Sequence, residues 1–330
     1  MKTTRIGRRD VLLGAGALVA ATALVPRRAH AFLTEATAET ASASVASAAA
    51  AGQVALGDDL RVNRMGFGAM RVTGPGIWGE PRDPAEARRV LQRAVALGVN
   101  FIDTADSYGP DVSERLIAAA LHPYPRGLVI ATKGGLVRPS QPEWNNDGRP
   151  EHLRAACEAS LKKLRLERID LYQLHAVDPE VPFEDSVGAL ARLQREGKIR
   201  HIGLSNVDLP QLEKAGSLVK IVSVQNRYNV ADRGSQDVLD YCTREKIVFI
   251  PWAPLAQRQQ VPGQENPQIA ALMAVARERG ITVPQAALAW LLARSPSMLP
   301  IPGTSSRGHL EENVAAAAVR LSAEEMARIG

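Results

Sequence analysis

Asp103, Tyr108, Lys133 and His175 are the residues of this chain whose types, taken together, can move a proton. Three apolar runs each stop at an ionisable side chain: FID at Asp103, LVIAT before Lys133, and IDLYQL before His175. Tyr108 follows the first run on what reads as a loop. A phenol within reach of an ammonium, a carboxylate and an imidazole is a set for general acid catalysis on a substrate oxygen. Singly, each has a plainer reading: an ion pair for Asp103, packing for Tyr108, a satisfied core imidazole for His175. Lys133 resists that treatment. An ammonium directly after LVIAT is buried and needs a carboxylate, and Asp103 is the one in place.

Strands and helices must position such a set. From residue 61 onward, strand-like and helix-like periods alternate. Strands are expected at 62–68, 100–103, 128–132, 170–174, 199–204, 221–224, 247–250 and 298–301. Helices are expected at 83–97, 113–121, 151–164, 183–197, 209–215, 236–246, 284–293 and 310–317, with an extra one near 266–279 and a last one from Ser322. The pattern predicts an α/β chain folded as a (β/α)8 TIM barrel, whose functional side chains gather at the C-terminal ends of its eight parallel strands. An open doubly wound sheet would want a Gly-rich first turn, which residues 67–71 lack. Long connections at 72–82, 134–150 and 252–265 all follow strands, so they rise over the same face. They bring Trp78 and Trp144 as an apolar pocket lining.

The remaining strand ends complete the ring. Ser205, Asn206 and Gln225 offer groups that can hold a carboxamide, and Trp252 offers a ring face for stacking. Gly303, Thr304 and the residues up to Arg307 precede a helix, where free backbone N–H groups suit a phosphate.

The stretches FIDTADSYG, ATKGG, RIDLYQLH, GKIRHIGLSN, QNRYN, PWAPLA and IPGTSSRGHLEEN make the chain resemble the aldo-keto reductases from Arg61 to its end. The resemblance implies a nicotinamide cofactor bound extended across the barrel's C-terminal face without a Rossmann domain. It implies a catalytic tetrad of Asp103, Tyr108, Lys133 and His175, with hydride transfer to a small-molecule aldehyde or ketone. In that scheme Tyr108 is the general acid, and Lys133 eases its ionisation. By the same resemblance Ser205, Asn206 and Gln225 hold the carboxamide, Trp252 stacks on the nicotinamide, and Glu312 and Asn313 meet the adenine. Gly303 and His309 stand where many NADPH-dependent members carry a lysine and an arginine. Arg307 is the strong cation nearby, which favours NADPH with Arg307 on the 2′-phosphate and leaves NADH as the alternative. A second class, a non-catalytic redox-sensing or regulatory subunit on the same fold, would not need the intact tetrad. A barrel hydrolase would want two facing carboxylates, whereas Asp103 is committed to a cation.

The first 31 residues read differently. Arg8-Arg9, an uncharged run over 11–25 and the ending PRRAHA form a cleavable export signal of the twin-arginine type. The run is too short for a stable membrane span. The expected partner is the twin-arginine machinery and the expected destination is the periplasm or the medium, with the cytoplasm as alternative. These residues hold six of the 40 Lys and Arg but one of the 35 Asp and Glu, so the formal charge of +5 vanishes without them. Nothing then marks a nucleic-acid binder. Residues 32–53 read as an Ala/Ser/Thr linker, and 54–330 as the barrel. Cys157 and Cys242 read as buried thiols, and no zinc-spaced Cys/His cluster exists, so no metal is expected.

Overall fold

The computed structural model describes residues 47–255 and 266–330; the expected signal, the linker up to residue 46 and part of the third long loop lie outside the described residues. The linker's last residues belong to the fold. Ser47 caps a single 3-10 turn at Ala48–Ala51, and the Ala48 methyl is fully buried, with its N–H bonded to the Leu97 carbonyl.

An antiparallel hairpin follows, β1 (Gln53–Leu56) with β2 (Leu60–Asn63). The expected first strand at 62–68 is therefore divided. Its start pairs back onto β1, and the barrel strand proper is the short β3 (Phe67–Gly68). Then come α1 (Pro84–Ala96), β4 (Phe101–Asp103), α2 (Val112–Leu121), β5 (Val129–Gly134), a small antiparallel pair β6 (Leu136–Val137) and β7 (Asn145–Asn146), α3 (Pro150–Leu164) and β8 (Ile169–Leu174). The series continues with α4 (Phe183–Arg195), β9 (Ile199–Ser205), α5 (Leu209–Leu218), β10 (Ile221–Gln225), α6 (Gln236–Glu245) and β11 (Val248–Phe249). It ends with α7 (Pro267–Arg279), α8 (Val283–Arg294), α9 (Arg307–Ala315) and α10 (Ala323–Ile329). Helix starts follow local chemistry. In α1 the Asp83 carboxylate accepts the Glu86 N–H and Pro84 takes the first turn, while Ala87, Val90, Leu91 and Ala94 form the buried face.

Seven strands make one parallel sheet in the order β3-β4-β5-β8-β9-β10-β11. The expected eighth strand at 298–301 is not a regular strand; it makes one parallel bridge, Phe249 to Met298. It still joins both sheet edges. Leu299 N–H donates to the Phe249 carbonyl, while the carbonyls of Pro300 and Pro302 accept from Gly66 and Gly68. Pro300 and Pro302 have no N–H to return, so this ladder runs one way.

Period-two alternation places the chemistry. Phe101, Val129, Ala131 and Leu171 fill the inside of the sheet together with Leu56 and Val62 of the hairpin. Two residues further along the same inward-facing rows come Asp103, Lys133 and Gln173. A second apolar layer, including Ile102, Ile130, Tyr172 and Leu174, packs under the helices. Cys157 and Cys242 are free and buried, and burial pushes both thiols up to about 12. Among the described residues no helix is long and apolar enough to cross a membrane, and no group of three His, Cys, Asp or Glu side chains stands together to hold a metal ion.

Candidate active site

Parallel registry sets the centre. Asp103 pairs with Ala131 and Lys133 with Gln173, so side chains from β4, β5 and β8 meet above the apolar interior. Lys133 is fully buried and Asp103 is 2% exposed, and the ammonium lies 2.6 Å from Asp103 Oδ1. It also donates to the Thr104 carbonyl at 2.9 Å and to the Tyr108 hydroxyl at 3.4 Å. Three N–H donors thus have three acceptors. Asp103 Oδ2 in turn accepts from Gln225 Nε2 at 2.8 Å and Gln173 Nε2 at 3.2 Å. Both carboxylate oxygens are therefore hydrogen-bonded, as a buried charge requires.

Burial works against the Lys133 ammonium, but Asp103 and the Tyr108 oxygen outweigh it and hold the amine above its ordinary range. For Tyr108 burial and Lys133 act in opposite directions. Burial raises the phenol more than Lys133 lowers it, so Tyr108 stands above its ordinary value and stays protonated in the resting site. His175 is buried beside the same cation, and desolvation first, then Lys133, hold its imidazole well below the ordinary range. Its ring meets Tyr108 edge-on at 5.7 Å between centroids, and Nδ1 lies 3.4 Å from Ser107 Oγ. The four expected tetrad residues are therefore together, with a protonated phenol and a neutral imidazole at the opening.

Ser205, Asn206 and Trp252 form one network. Asn206 adopts a left-handed φ of 57°, which asparagine tolerates better than most residues. Its Nδ2 donates to the His175 carbonyl at 3.0 Å and to Ser205 Oγ at 3.1 Å, and its Oδ1 accepts from the Trp252 indole at 2.9 Å. Gln225 departs from the expected carboxamide role in its amino group, which is spent on Asp103. Gln173 does the same work and escaped the motif reading, although its place two residues before His175 puts it in an inward-facing row.

The phosphate-side residues lie farther round the rim. A cleft of about 750 Å³ is lined by Glu86, Arg93, Ser305, Ser306, Arg307, Gly308 and Glu311. A second, of about 380 Å³, shares Glu86 and Ser305 and follows residues 70–77. Neither is lined by a tetrad residue. Thr304 Oγ1 accepts from Ser306 N–H, and Ser306 caps α9. Arg307, expected on a 2′-phosphate, instead donates to Glu86 at 2.9 Å. Glu312, expected near adenine, accepts from Thr282 Oγ1, while Asn313 is buried. Gly303 has a packing reason: a Cβ there would stand 2.5 Å from the Gly68 carbonyl oxygen, so a lysine has no room without a shift. The donor set of helix-start amides, one guanidinium, amides and an indole fits a pyridine dinucleotide.

Trp78, expected with Trp144 in a pocket lining, bridges to Gly109, and neither indole lines either cleft. Trp144 meets Tyr108 edge-on at 6.5 Å, and Arg138, which the motif reading passed over, lies between the two indoles.

Residues 64–330 match the model of the Aldo/keto reductase family. An uncharacterized oxidoreductase of Schizosaccharomyces pombe is 49% identical over 292 residues, which cover 88% of this chain and 93% of that protein. Pyridoxine 4-dehydrogenase of Escherichia coli is 42% identical over 274 residues, 81% of this chain and 94% of that one. Among solved structures, an aldo/keto reductase from Klebsiella pneumoniae in complex with NADP and acetate matches with a TM-score of 0.70 at 29% identity, over 84% of this chain and 93% of that one.

Proposed function

The chain belongs to the aldo/keto reductase family, and we propose that it reduces an aldehyde or ketone with NADPH, Tyr108 giving its proton to the carbonyl oxygen. A bound reduced nicotinamide supplies the hydride. As negative charge develops on the carbonyl oxygen, Tyr108 transfers its proton there and becomes a phenolate. Lys133, one hydrogen bond away, stabilises that phenolate inside a buried site where it would otherwise be costly. Asp103 holds Lys133 in place, with Gln173 and Gln225 holding Asp103. His175, neutral, offers an N–H that orients the carbonyl.

The observation that carries this reading is the Lys133 ammonium lying between Asp103 Oδ1 and the Tyr108 hydroxyl. Support for NADPH comes from the Klebsiella relative's bound NADP and from Arg307 at the start of α9. The pyridoxine 4-dehydrogenase relative makes pyridoxal the first aldehyde to try, since oxidising pyridoxine at that carbon yields an aldehyde and the reverse step is a carbonyl reduction. The basic N-terminal segment supports export through the twin-arginine route as part of the same proposal.

Tyr108→Phe tests the proton donor. Carbonyl reduction is expected to fall by roughly 10²–10⁴-fold, with nicotinamide binding retained in a fluorescence titration. Wild-type turnover in this variant would overturn the assignment.

A further inference from the structure

Arg138 follows the β6 strand in the loop over 134–150 and is 7% exposed. Its hydrogen-bond partners are main-chain carbonyls. Nε donates to Glu143 at 3.1 Å, and Nη1 donates to Ile77 at 2.5 Å. Longer bonds at 3.4 Å run from both terminal nitrogens to the Gly76 carbonyl. The guanidinium carbon stands 4.0 Å from the Trp144 ring centroid and 5.2 Å from that of Trp78. A planar guanidinium suits both roles at once, a fork of donors in its plane and stacking on its faces.

These contacts tie three loops together. The Ile77 carbonyl that accepts from Arg138 also accepts from the Gly109 N–H at 3.3 Å, and the Gly79 N–H donates to the Gly109 carbonyl at 3.0 Å. Gly109 is the residue after Tyr108. One side chain therefore connects the 72–82 loop, the 134–150 loop and the backbone beside the proton donor. Trp144 remains 38% exposed even so, with its ring edge-on to Tyr108 at 6.5 Å. An indole held at both of these contacts yet open to solvent is a ready wall for a flat ligand.

We propose that Arg138 is a positioning residue for substrate choice: by fixing Trp144 against Tyr108 it gives the site a rigid aromatic wall that favours flat aromatic aldehydes over saturated ones of similar size. The inference rests on the carbonyl-reductase reading above and names the substrate class of that same site.

The test compares benzaldehyde with cyclohexanecarbaldehyde on the full chain with NADPH and with NADH. Wild type should prefer benzaldehyde in kcat/KM. In Arg138→Met that preference should fall about tenfold, mostly through KM. Arg138→Lys should not restore it, because a point charge cannot serve carbonyls and two rings together. Trp144→Ala, which leaves the Arg138 hydrogen bonds in place, should lose the preference as well, and adding Arg138→Met to it should cost little more. A preference retained in Arg138→Met or in Trp144→Ala overturns the proposal. If wild type reduces neither aldehyde with either cofactor, it is the reductase reading that fails. Arg138 is then judged by tryptophan-fluorescence titration with benzyl alcohol: about tenfold weaker binding in Arg138→Met supports its role, and equal binding overturns it.

Discussion

Lys133 spends its three N–H groups on Asp103, Thr104 and Tyr108, and the longest of the three bonds is the one to the phenol. On the proposed role of Tyr108 as proton donor, that contact would strengthen as charge appears on the oxygen. The neighbouring imidazole gives a pH test. His175 lies well below its ordinary range, so it stays neutral across the interval in which a free imidazole titrates, near pH 6.5. The pH profile of kcat/KM should therefore show no ionisation near 6.5, and replacing His175 by Asn should not change the profile's shape there. A clear inflection near 6.5 that disappears in His175→Asn would contradict a neutral His175. The sign for stability follows as well. The unfolded chain takes up this proton near pH 6.5 and the folded one only at lower pH, so His175 contributes stability that is lost as pH falls below 6.5.

At the scale of elements, the start of α9 and the start of α1 face each other across the rim cleft through Arg307 and Glu86. Glu86 also binds Arg89 at 2.7 Å. Both ends of the Arg307 contact are solvent-accessible, with Arg307 54% and Glu86 27% exposed, so the pair is a weak one that a doubly charged phosphate can displace. Arg307→Ala is expected to weaken NADPH binding about tenfold, roughly 1.4 kcal/mol, and to leave NADH nearly unchanged. Glu86→Gln, which frees the guanidinium, should tighten NADPH alone. Fluorescence titration with both cofactors decides it. Equal losses for the two in Arg307→Ala would place the guanidinium away from the 2′-phosphate. The close backbone approach of Gly68 and Gly303 belongs to the same scale, because it carries the 297–302 segment against β3 and sets where α9 begins.

For the whole molecule, the proposed export predicts a fate for the chain. Wild type should appear in the exported fraction with its N-terminus near Phe32, and Arg8→Lys with Arg9→Lys should remain inside the cell, uncleaved. N-terminal sequencing of fractionated cells checks both. Full-length wild type confined to the cytoplasm would end the export proposal. The described residues begin at Ser47, so a cut near residue 31 leaves every described contact intact, including the buried Ala48.

The tetrad and the alternation of strands and helices were legible in the linear chain because their cause is local. Period-two rows put Asp103 and Lys133 on the inward faces of their strands and His175 just past the end of its own, and Asp83 stands at the expected start of the helix it caps. Other features depend on groups far apart in sequence. Gln225 reaches Asp103 across 122 residues, and Arg307 reaches Glu86 across 221. Arg138 finds Ile77 and two indoles only once three loops have stacked. The protonation of Tyr108 is of this second kind, for it is settled by how much burial opposes Lys133, and burial is a property of the assembled site. The eighth strand fell between the two. Its prolines were visible in the chain, but that they would face β3, and so leave main-chain donation there to Gly66 and Gly68, was decided by the curl of the sheet.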